Sequence, residues 1–331
     1  MLSVIIPFYN LSSYIERTLG GVIEAAKRFD ETLECICVDD GSSDDTGKKL
    51  DEFKVRFEAE APRVKYGVIH QANGGEGAAR NTGISAATGE WMIFLDGDDV
   101  WLENALSEAE KALKESSTAD IISLKYTPFE DGSPLPNAKA SSKIYSVATD
   151  KNIPAELICK LGVFPTLFRR RKYGEMRFSS LPLGADRLFV MECLAKADEV
   201  VVSDAVVEGY RIRSGSMARA KWDCRKIMSL NDHARLGIVA LATSGKDVAS
   251  EGIGYLAALV VSEVPARIAR LSTRDEAAQG LWKHWLDSVA ELPVKHLPMR
   301  IRVMRRLILS SGFSRALSIV VARLCRTLGV A

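Results

Sequence analysis

The chain has 331 residues, 47% of them hydrophobic, which is ample for one large cored domain or two modest ones. Its formal net charge of +1 hides an asymmetry: residues 295–331 hold eight basic side chains (Lys295, Arg300, Arg302, Arg305, Arg306, Arg315, Arg323, Arg326) and no acid, leaving 36 basic against 43 acidic before them. The six cysteines lack metal-finger spacing, and Cys35 and Cys37 share one strand face too closely for an ordinary disulfide, so reduced, mostly buried thiols of a cytosolic protein are expected. The start shows no leader pattern, and the longest apolar stretch, residues 253–261, is too short to cross a bilayer.

Residues 2–6 are a short apolar strand that Pro7 should stop. Ser13 and Glu16 make a capping-box pattern before Ile15, Leu19, Val22, Ile23 and Ala26, which recur at helical spacing. A second strand, 33–38, ends at Asp39-Asp40-Gly41 and precedes a helix with Leu50, Phe53 and Phe57 on one face. A strand over 64–70, a short helix over 77–87, a strand over 91–95, a helix over 101–114 and a strand over 120–126 follow. This alternation predicts an α/β fold whose mainly parallel central sheet is covered by helices on both faces. Such sheets bind ligands beyond their carboxyl strand ends, so Asn10, Asp40, Asn73 and Asp96 should gather along one rim. Residues 127–150 read as a loop or irregular hairpin. Beyond them come a helix at 155–161, a strand at 163–169, a helix after Gly184, strands at 200–202 and 206–213, and helices from Trp222 onward.

The chemistry concentrates at Asp96-Gly97-Asp98-Asp99, which closes the fourth apolar run. Three carboxylates in four positions repel one another unless a cation compensates them, and all-oxygen ligands suit Mg²⁺ or Mn²⁺. The competing reading makes Asp98 or Asp99 the N-cap of a helix from Val100. Tyr9, just past the first strand, offers a flat face for a base or packs locally. In the second loop one Asp can accept from a ribose hydroxyl or base N–H, while Ser42, Ser43 and Asp44 cap the next helix. The glycines of residues 73–83 let backbone approach a ligand, and Arg80 can meet an anion or stack on a base.

Two motif likenesses fail. Residues 41–49 imitate a phosphate-binding P-loop, but five residues separate Gly41 from Gly47 and Lys49 stands where Ser or Thr should be. Gly75-Glu76-Gly77 imitates a dinucleotide fingerprint, but Arg80 holds the third glycine position, where bulk blocks close helix–sheet contact.

Taken together and in register, residues 3–10 (Ser-Val-Ile-Ile-Pro-Phe-Tyr-Asn), 38–42 (Val-Asp-Asp-Gly-Ser), 73–83 and 89–99 resemble the family-2 inverting glycosyltransferases of the GT-A fold. The resemblance implies that Asp96, Gly97 and Asp98, with Asp99 beside them, form a DxD motif holding a nucleotide-sugar diphosphate through Mn²⁺ or Mg²⁺. It also implies that Pro7, Tyr9, Asn10, Asp40, Gly75 and Arg80 frame the nucleotide, most often of a UDP-sugar. Gly184-Ala185-Asp186 resembles the segment carrying the family's catalytic base, so Asp186 is the implied base, with Ala185 where Glu is usual. Tyr210-Arg211-Ile212-Arg213-Ser214-Gly215-Ser216 resembles a segment near the diphosphate, which implicates Arg211, Arg213 and Ser216. By position alone Asp186 would instead cap the helix that follows.

The implied architecture is a glycosyltransferase domain over 1–220 (nucleotide-sugar half 1–126, acceptor and base half 127–220) and a helical region over 221–331. The implied activity is metal-dependent transfer from a nucleotide-sugar to a glycan or lipid-linked acceptor. A sugar-nucleotide-forming nucleotidyltransferase and a non-catalytic sugar-nucleotide-binding relative are the alternatives; the first would need a basic, glycine-rich signature where Pro7-Phe8-Tyr9-Asn10 stands. The basic residues 295–331 carry apolar positions at helical spacing, which suits either an anionic membrane surface on the cytoplasmic face or packing on the protein body. The acidic body and the lack of a recognition motif speak against nucleic acid.

Overall fold

The computed structural model describes residues 1–213, 222–268 and 276–310. In chain order the elements are β1 (Leu2–Phe8), α1 (Ile15–Ala26), β2 (Leu33–Asp39), α2 (Thr46–Glu60), β3 (Val64–His70), α3 (Glu76–Ala86), β4 (Trp91–Phe94), β5 (Val100–Trp101), α4 (Ala105–Glu115), β6 (Ile121–Glu130) and β7 (Ile144–Ala148). There follow β8 (Asn152–Ile153), α5 (Ala155–Lys160), β9 (Thr166–Arg169), α6 (Arg170–Tyr173), α7 (Ala185–Lys196), β10 (Glu199–Ile212), α8 (Cys224–Ala242), β11 (Asp247–Val248) and α9 (Ser250–Ala258). A π turn leads from α9 into α10 (Val264–Ile268), and α11 (Glu276–Glu291) and α12 (Met299–Ser310) complete the described chain.

These elements form two compact units. The first contains residues 1–148 and 162–180 together with β10; the second contains residues 149–161 and 181–196 together with the described helices from α8 onward. The polypeptide thus leaves the first unit at Thr149 and again at Leu181, and α7 belongs with the C-terminal helices.

In the first unit nine strands make one sheet in the order β3-β2-β1-β4-β9-β6-β10-β5, with β7 also on β10. The β3-β2-β1-β4 half is parallel; β9 runs antiparallel between β4 and β6, and β5 and β7 are antiparallel to β10. Every residue of β1 is buried, as expected of a central strand covered on both faces. Each fully buried Ile or Val there contributes about 1.5–3 kcal/mol. Two glycines set the helix positions. A Cβ at Gly83 of α3 would fall 2.2 Å from Ile5 Cγ2, and one at Gly21 of α1 would fall 2.7 Å from the Trp101 carbonyl. Close contact between α3 and the sheet is therefore made at Gly83, one turn past the Arg80 position.

Several local expectations are corrected. Pro7 does not stop β1: Leu95 donates to the Ile5 carbonyl in the last rung on that side, and Pro7 lies one rung further, beyond β4, where its missing N–H costs nothing. The Ser13/Glu16 capping box does not form; Tyr14 is at the N-cap without a side-chain capping bond, and Glu16 pairs with Arg56. The helix expected over 101–114 begins at Ala105, because Val100 and Trp101 pair with Gly209 and Glu208 and Leu102 donates to the Val207 carbonyl. That pairing also removes the reading of Asp98 or Asp99 as a helix cap. The strands read at 200–202 and 206–213 are one bulged strand, β10, whose first half borders β7 and second half β5.

Cys35, Cys37 and Cys193 are buried, and Cys159 and Cys224 are part-exposed, with no disulfide among the described residues. In the second unit α7 packs on α8, α5 on α9, and β8 pairs in parallel with β11. Among the described residues no helix is long and apolar enough to cross a membrane.

Candidate functional site

Just past β4 the chain turns sharply, with the Asp99 amide bonded to the Asp96 carbonyl at 3.0 Å. Gly97 is required in this turn, since a Cβ would sit 2.6 Å from the Pro7 carbonyl and 2.7 Å from the Phe8 ring. Thr18 of α1 anchors the turn, its hydroxyl 3.0 and 2.8 Å from the carbonyl oxygens of Gly97 and Asp99. The result is that Asp96, Asp98 and Asp99 each present a carboxylate oxygen within 4.8 Å of the others.

Each acid is held by a separate arginine. Arg80 donates to Asp96 Oδ1 at 2.7 Å, Arg213 Nε to Asp98 Oδ2 at 2.5 Å, and the Arg211 backbone amide to Asp99 Oδ1 at 2.6 Å. The Arg211 guanidinium also donates to the Asp98 carbonyl at 2.6 Å and to Asp131 at 2.8 Å. Burial raises Asp96 well above the usual carboxylate range; Arg80 opposes this, and the charges of Glu76, Asp99 and Asp98 add to it. Burial, with the Asp98 charge adding to it against Arg211, pushes Asp99 up to about 8.

A fourth carboxyl stands behind them. Glu208 of β10 is wholly inaccessible, among the described residues neither of its oxygens has a hydrogen-bond partner, and burial followed by the Asp99 and Asp96 charges raises it well above its ordinary value. Glu208 is not among the residues expected at the site; an acid interrupting the apolar run 205–209 is its signal in the sequence. Three converging oxygen donors backed by an orphaned buried carboxyl fit a hard divalent cation, so the residues present suit Mn²⁺ or Mg²⁺.

Arg80 is placed differently from the expectation that it meets a ligand. Its side chain is 3% exposed, it also pairs with Glu76 at 2.6 Å, and the rings of Phe164 and Phe178 lie 4.9 and 5.2 Å from its guanidinium. It buttresses Asp96 from within the protein. Asp40 is likewise committed. Its Oδ1 accepts from Gln71 Nε2 at 2.6 Å and the Gly74 amide at 2.9 Å, and its Oδ2 from the Gly75 amide at 2.8 Å. Asp40 therefore ties the glycine loop to the end of β2, while Gly75, at φ +87°, has open space where a side chain would be.

Tyr9 is half exposed at the rim, and Pro7 is buried beneath it. Asn10, at φ 53°, accepts from the Ser43 amide at 2.8 Å and donates its own amide to Ser42 Oγ at 3.0 Å, locking the first two loops together. Tyr14 lies against both Arg211 and Arg213, at 5.0 and 5.4 Å. Ser216 lies outside the described residues.

Asp186 belongs to the second unit. Because α7 begins at Ala185, Asp186 is inside the first turn and not its cap; it is half-buried, and among the described residues its carboxylate accepts no hydrogen bond. The segment before it is tightly held: the Leu183 amide donates to Ser229 Oγ at 2.9 Å, and a Cβ at Gly184, φ +80°, would collide with the His233 ring. Ala185 is buried, so the position usually occupied by Glu takes only a methyl group here.

The sheet order and the acidic turn beyond the fourth strand sit within a GT-A fold, as the likeness to a solved structure shows. Residues 1–349 of S. aureus TarS, solved in complex with UDP-GlcNAc, share it with a TM-score of 0.72 and 20% sequence identity over 98% of this chain and 91% of that one. The sequence profile of glycosyl transferase family 2 matches residues 3–175, just over half of the chain, and the chain belongs to that family. The nucleotidyltransferase reading falls with this assignment. The glycosyltransferase GlyA of Streptococcus pneumoniae serotype 4 is 26% identical over 281 residues, covering 82% of this chain and 39% of GlyA. The minor teichoic acid biosynthesis protein GgaA of Bacillus subtilis is 32% identical over 136 residues, 40% of this chain and 29% of GgaA. The chain thus spans well under half the length of each of these relatives.

Proposed function

We propose that the protein is a metal-dependent, inverting glycosyltransferase that moves a sugar from a UDP-sugar to a hydroxyl of a glycan or lipid-linked acceptor in cell-surface polymer synthesis. The convergence of Asp96, Asp98 and Asp99 past β4 is the observation that carries this reading. These three carboxylates would hold Mn²⁺ or Mg²⁺, which when bound supplies Lewis-acid stabilisation of the charge developing on the departing diphosphate. The guanidinium groups of Arg211 and Arg213 add positive charge beside the same turn. Tyr9, Asn10 and the open backbone at Gly75 are assigned to the nucleoside; Asp40, Arg80 and Pro7 hold the surrounding loops in place.

An acceptor hydroxyl is far too weak an acid to ionise at neutral pH, so a carboxylate must take its proton as the new bond forms. Asp186, whose carboxylate is uncommitted among the described residues, is assigned this role. Attack opposite the leaving diphosphate inverts the anomeric centre. A UDP donor is supported by the ligand of the TarS structure, and a cell-surface polymer acceptor by the name of GgaA.

The C-terminal region is assigned to an anionic membrane surface. Helix α12 buries Ile301, Met304 and Ile308 and leaves Met299, Val303 and Leu307 exposed beside Arg300, Arg302 and Arg306. Apolar contact flanked by arginines suits anionic headgroups, and such a surface would present a lipid-linked acceptor on the cytoplasmic face. Replacing Met299 and Val303 with Ser and Arg306 with Gln should abolish co-sedimentation with phosphatidylglycerol vesicles; unaltered binding removes the membrane assignment. The enzymatic reading is tested by screening UDP-sugars with Mn²⁺. Asp98→Asn and Asp186→Asn should each lower transfer by orders of magnitude, and unchanged turnover in a folded Asp186→Asn protein removes that residue from the mechanism.

A further inference from the structure

Three arginines serve the acidic turn, and they are not equivalent. The side chains of Arg80 and Arg211 are 3% and 2% exposed and each makes several polar contacts. Arg213 is 22% exposed, its Nε bond to Asp98 Oδ2 is its only hydrogen bond among the described residues, and Tyr14 covers it at 5.4 Å. Its terminal nitrogens thus have no hydrogen-bond partner among the described residues. The titratable groups around it are Asp98, Asp99, Asp131 and the neutral phenol of Tyr14, with the Arg211 guanidinium against the same tyrosine ring.

From this geometry we infer that Arg213 is an exchangeable counter-ion, competing with the divalent cation for Asp98 and then turning to the diphosphate of the donor. The inference rests on the donor-site reading above and deepens it. A guanidinium bonded to Asp98 Oδ2 neutralises the carboxylate a cation would use, and it repels a divalent charge placed against the same oxygen. When a cation takes that oxygen, Arg213 loses its acid partner, and a diphosphate offers the bidentate oxygens its planar fork matches. The exchange couples the two ligands: the cation frees the arginine that the nucleotide needs, so each tightens the other. Arg80 and Arg211 cannot exchange in this way, because burial and multiple bonds fix them in place.

The competition predicts opposite shifts from one substitution. Mn²⁺ alone is titrated onto the full-length protein by electron paramagnetic resonance, and UDP is titrated by calorimetry at saturating Mn²⁺. In Arg213→Gln, Mn²⁺ alone should bind about five- to ten-fold tighter, and UDP in the presence of Mn²⁺ about five- to ten-fold weaker, the lower range of coupling between two sites. Arg213→Lys, which keeps the charge, should leave Mn²⁺ binding close to wild type and so separates competition from disturbed folding. Mn²⁺ binding that is unchanged or weaker in Arg213→Gln, while Arg213→Lys binds like wild type, overturns the inference and leaves the donor site standing. If the wild-type protein takes up no Mn²⁺ that Asp98→Asn abolishes, the donor-site reading itself is overturned, and the inference with it.

Discussion

Replacing Arg80 with Met should destabilise the first unit more than any other single change of charge around the acidic turn. The substitution keeps an apolar stem of similar length between Phe164 and Phe178 but leaves the mostly enclosed Asp96, 21% exposed, without its cation. Removing one partner of a buried ion pair typically costs about 3–5 kcal/mol. Asp96 has an escape, because burial already favours its protonated form, so uptake of a proton limits the loss to about the lower figure. For a domain of this size that loss corresponds to a fall in Tm of roughly 6–12 °C. Arg80→Lys retains the charge but not the planar group that lies against two rings, and it should fall between the two. The discriminating sample is the double variant Arg80→Met with Asp96→Asn, measured by scanning calorimetry beside both single variants. With the orphaned charge removed, the two losses should fail to add by about 1 kcal/mol or more. If Arg80→Met melts within about 2 °C of wild type, or if the losses simply add, the buttressing role of Arg80 is refuted.

Other expectations follow from neighbouring contacts. His70 sits between Asp39 and Asp51 at 3.0 and 3.2 Å; its bond to Asp39 raises its pKa above 6.5, and its stabilisation is complete below that value and lost as pH rises through the raised one. Although burial opposes it, bonds from Ser42 and His70 hold Asp39 below its ordinary 3.8, so its contribution is present above that value and lost in stronger acid. His70→Gln should therefore lower Tm more at pH 5.5 than at pH 8.5, and an equal drop at both would contradict the pairing. Asp40→Ala leaves the Gly74 and Gly75 amides without their acceptor, costing about 1–3 kcal/mol and accelerating amide exchange in residues 73–75. Gly83→Ala should cost about 1–3 kcal/mol by calorimetry, since the added methyl meets Ile5 at 2.2 Å.

The strands and helices of the first 126 residues were legible because their apolar periodicity and loop glycines are local signals, and β3 matches its expected span residue for residue. The site was legible as a set of loops, but the direction of individual side chains was not. Asp40 and Arg80 read as ligand contacts since both are polar residues past strand ends. Their actual partners, Gln71 and the loop amides for one and Phe164 and Phe178 for the other, come from segments a sequence does not place beside them. Glu208 escaped notice for a related reason: its importance depends on the antiparallel return of Val100 and Trp101 onto β10, a pairing between positions more than a hundred residues apart. Pro7 misled through a rule that holds for interior rungs, because nothing local announces that β4 ends before reaching it. The second passage of the chain into the other unit, at Leu181, leaves no compositional mark at all.

Sugar transfer through a cation bound at the acidic turn is tested most directly by its metal dependence. Release of UDP from UDP-GlcNAc and other UDP-sugars should be followed in the wild-type protein and in Asp98→Asn, with Mn²⁺ and with EDTA. Release that requires Mn²⁺ and disappears in Asp98→Asn is the predicted result. Turnover that continues undiminished in EDTA, or in Asp98→Asn, would contradict it.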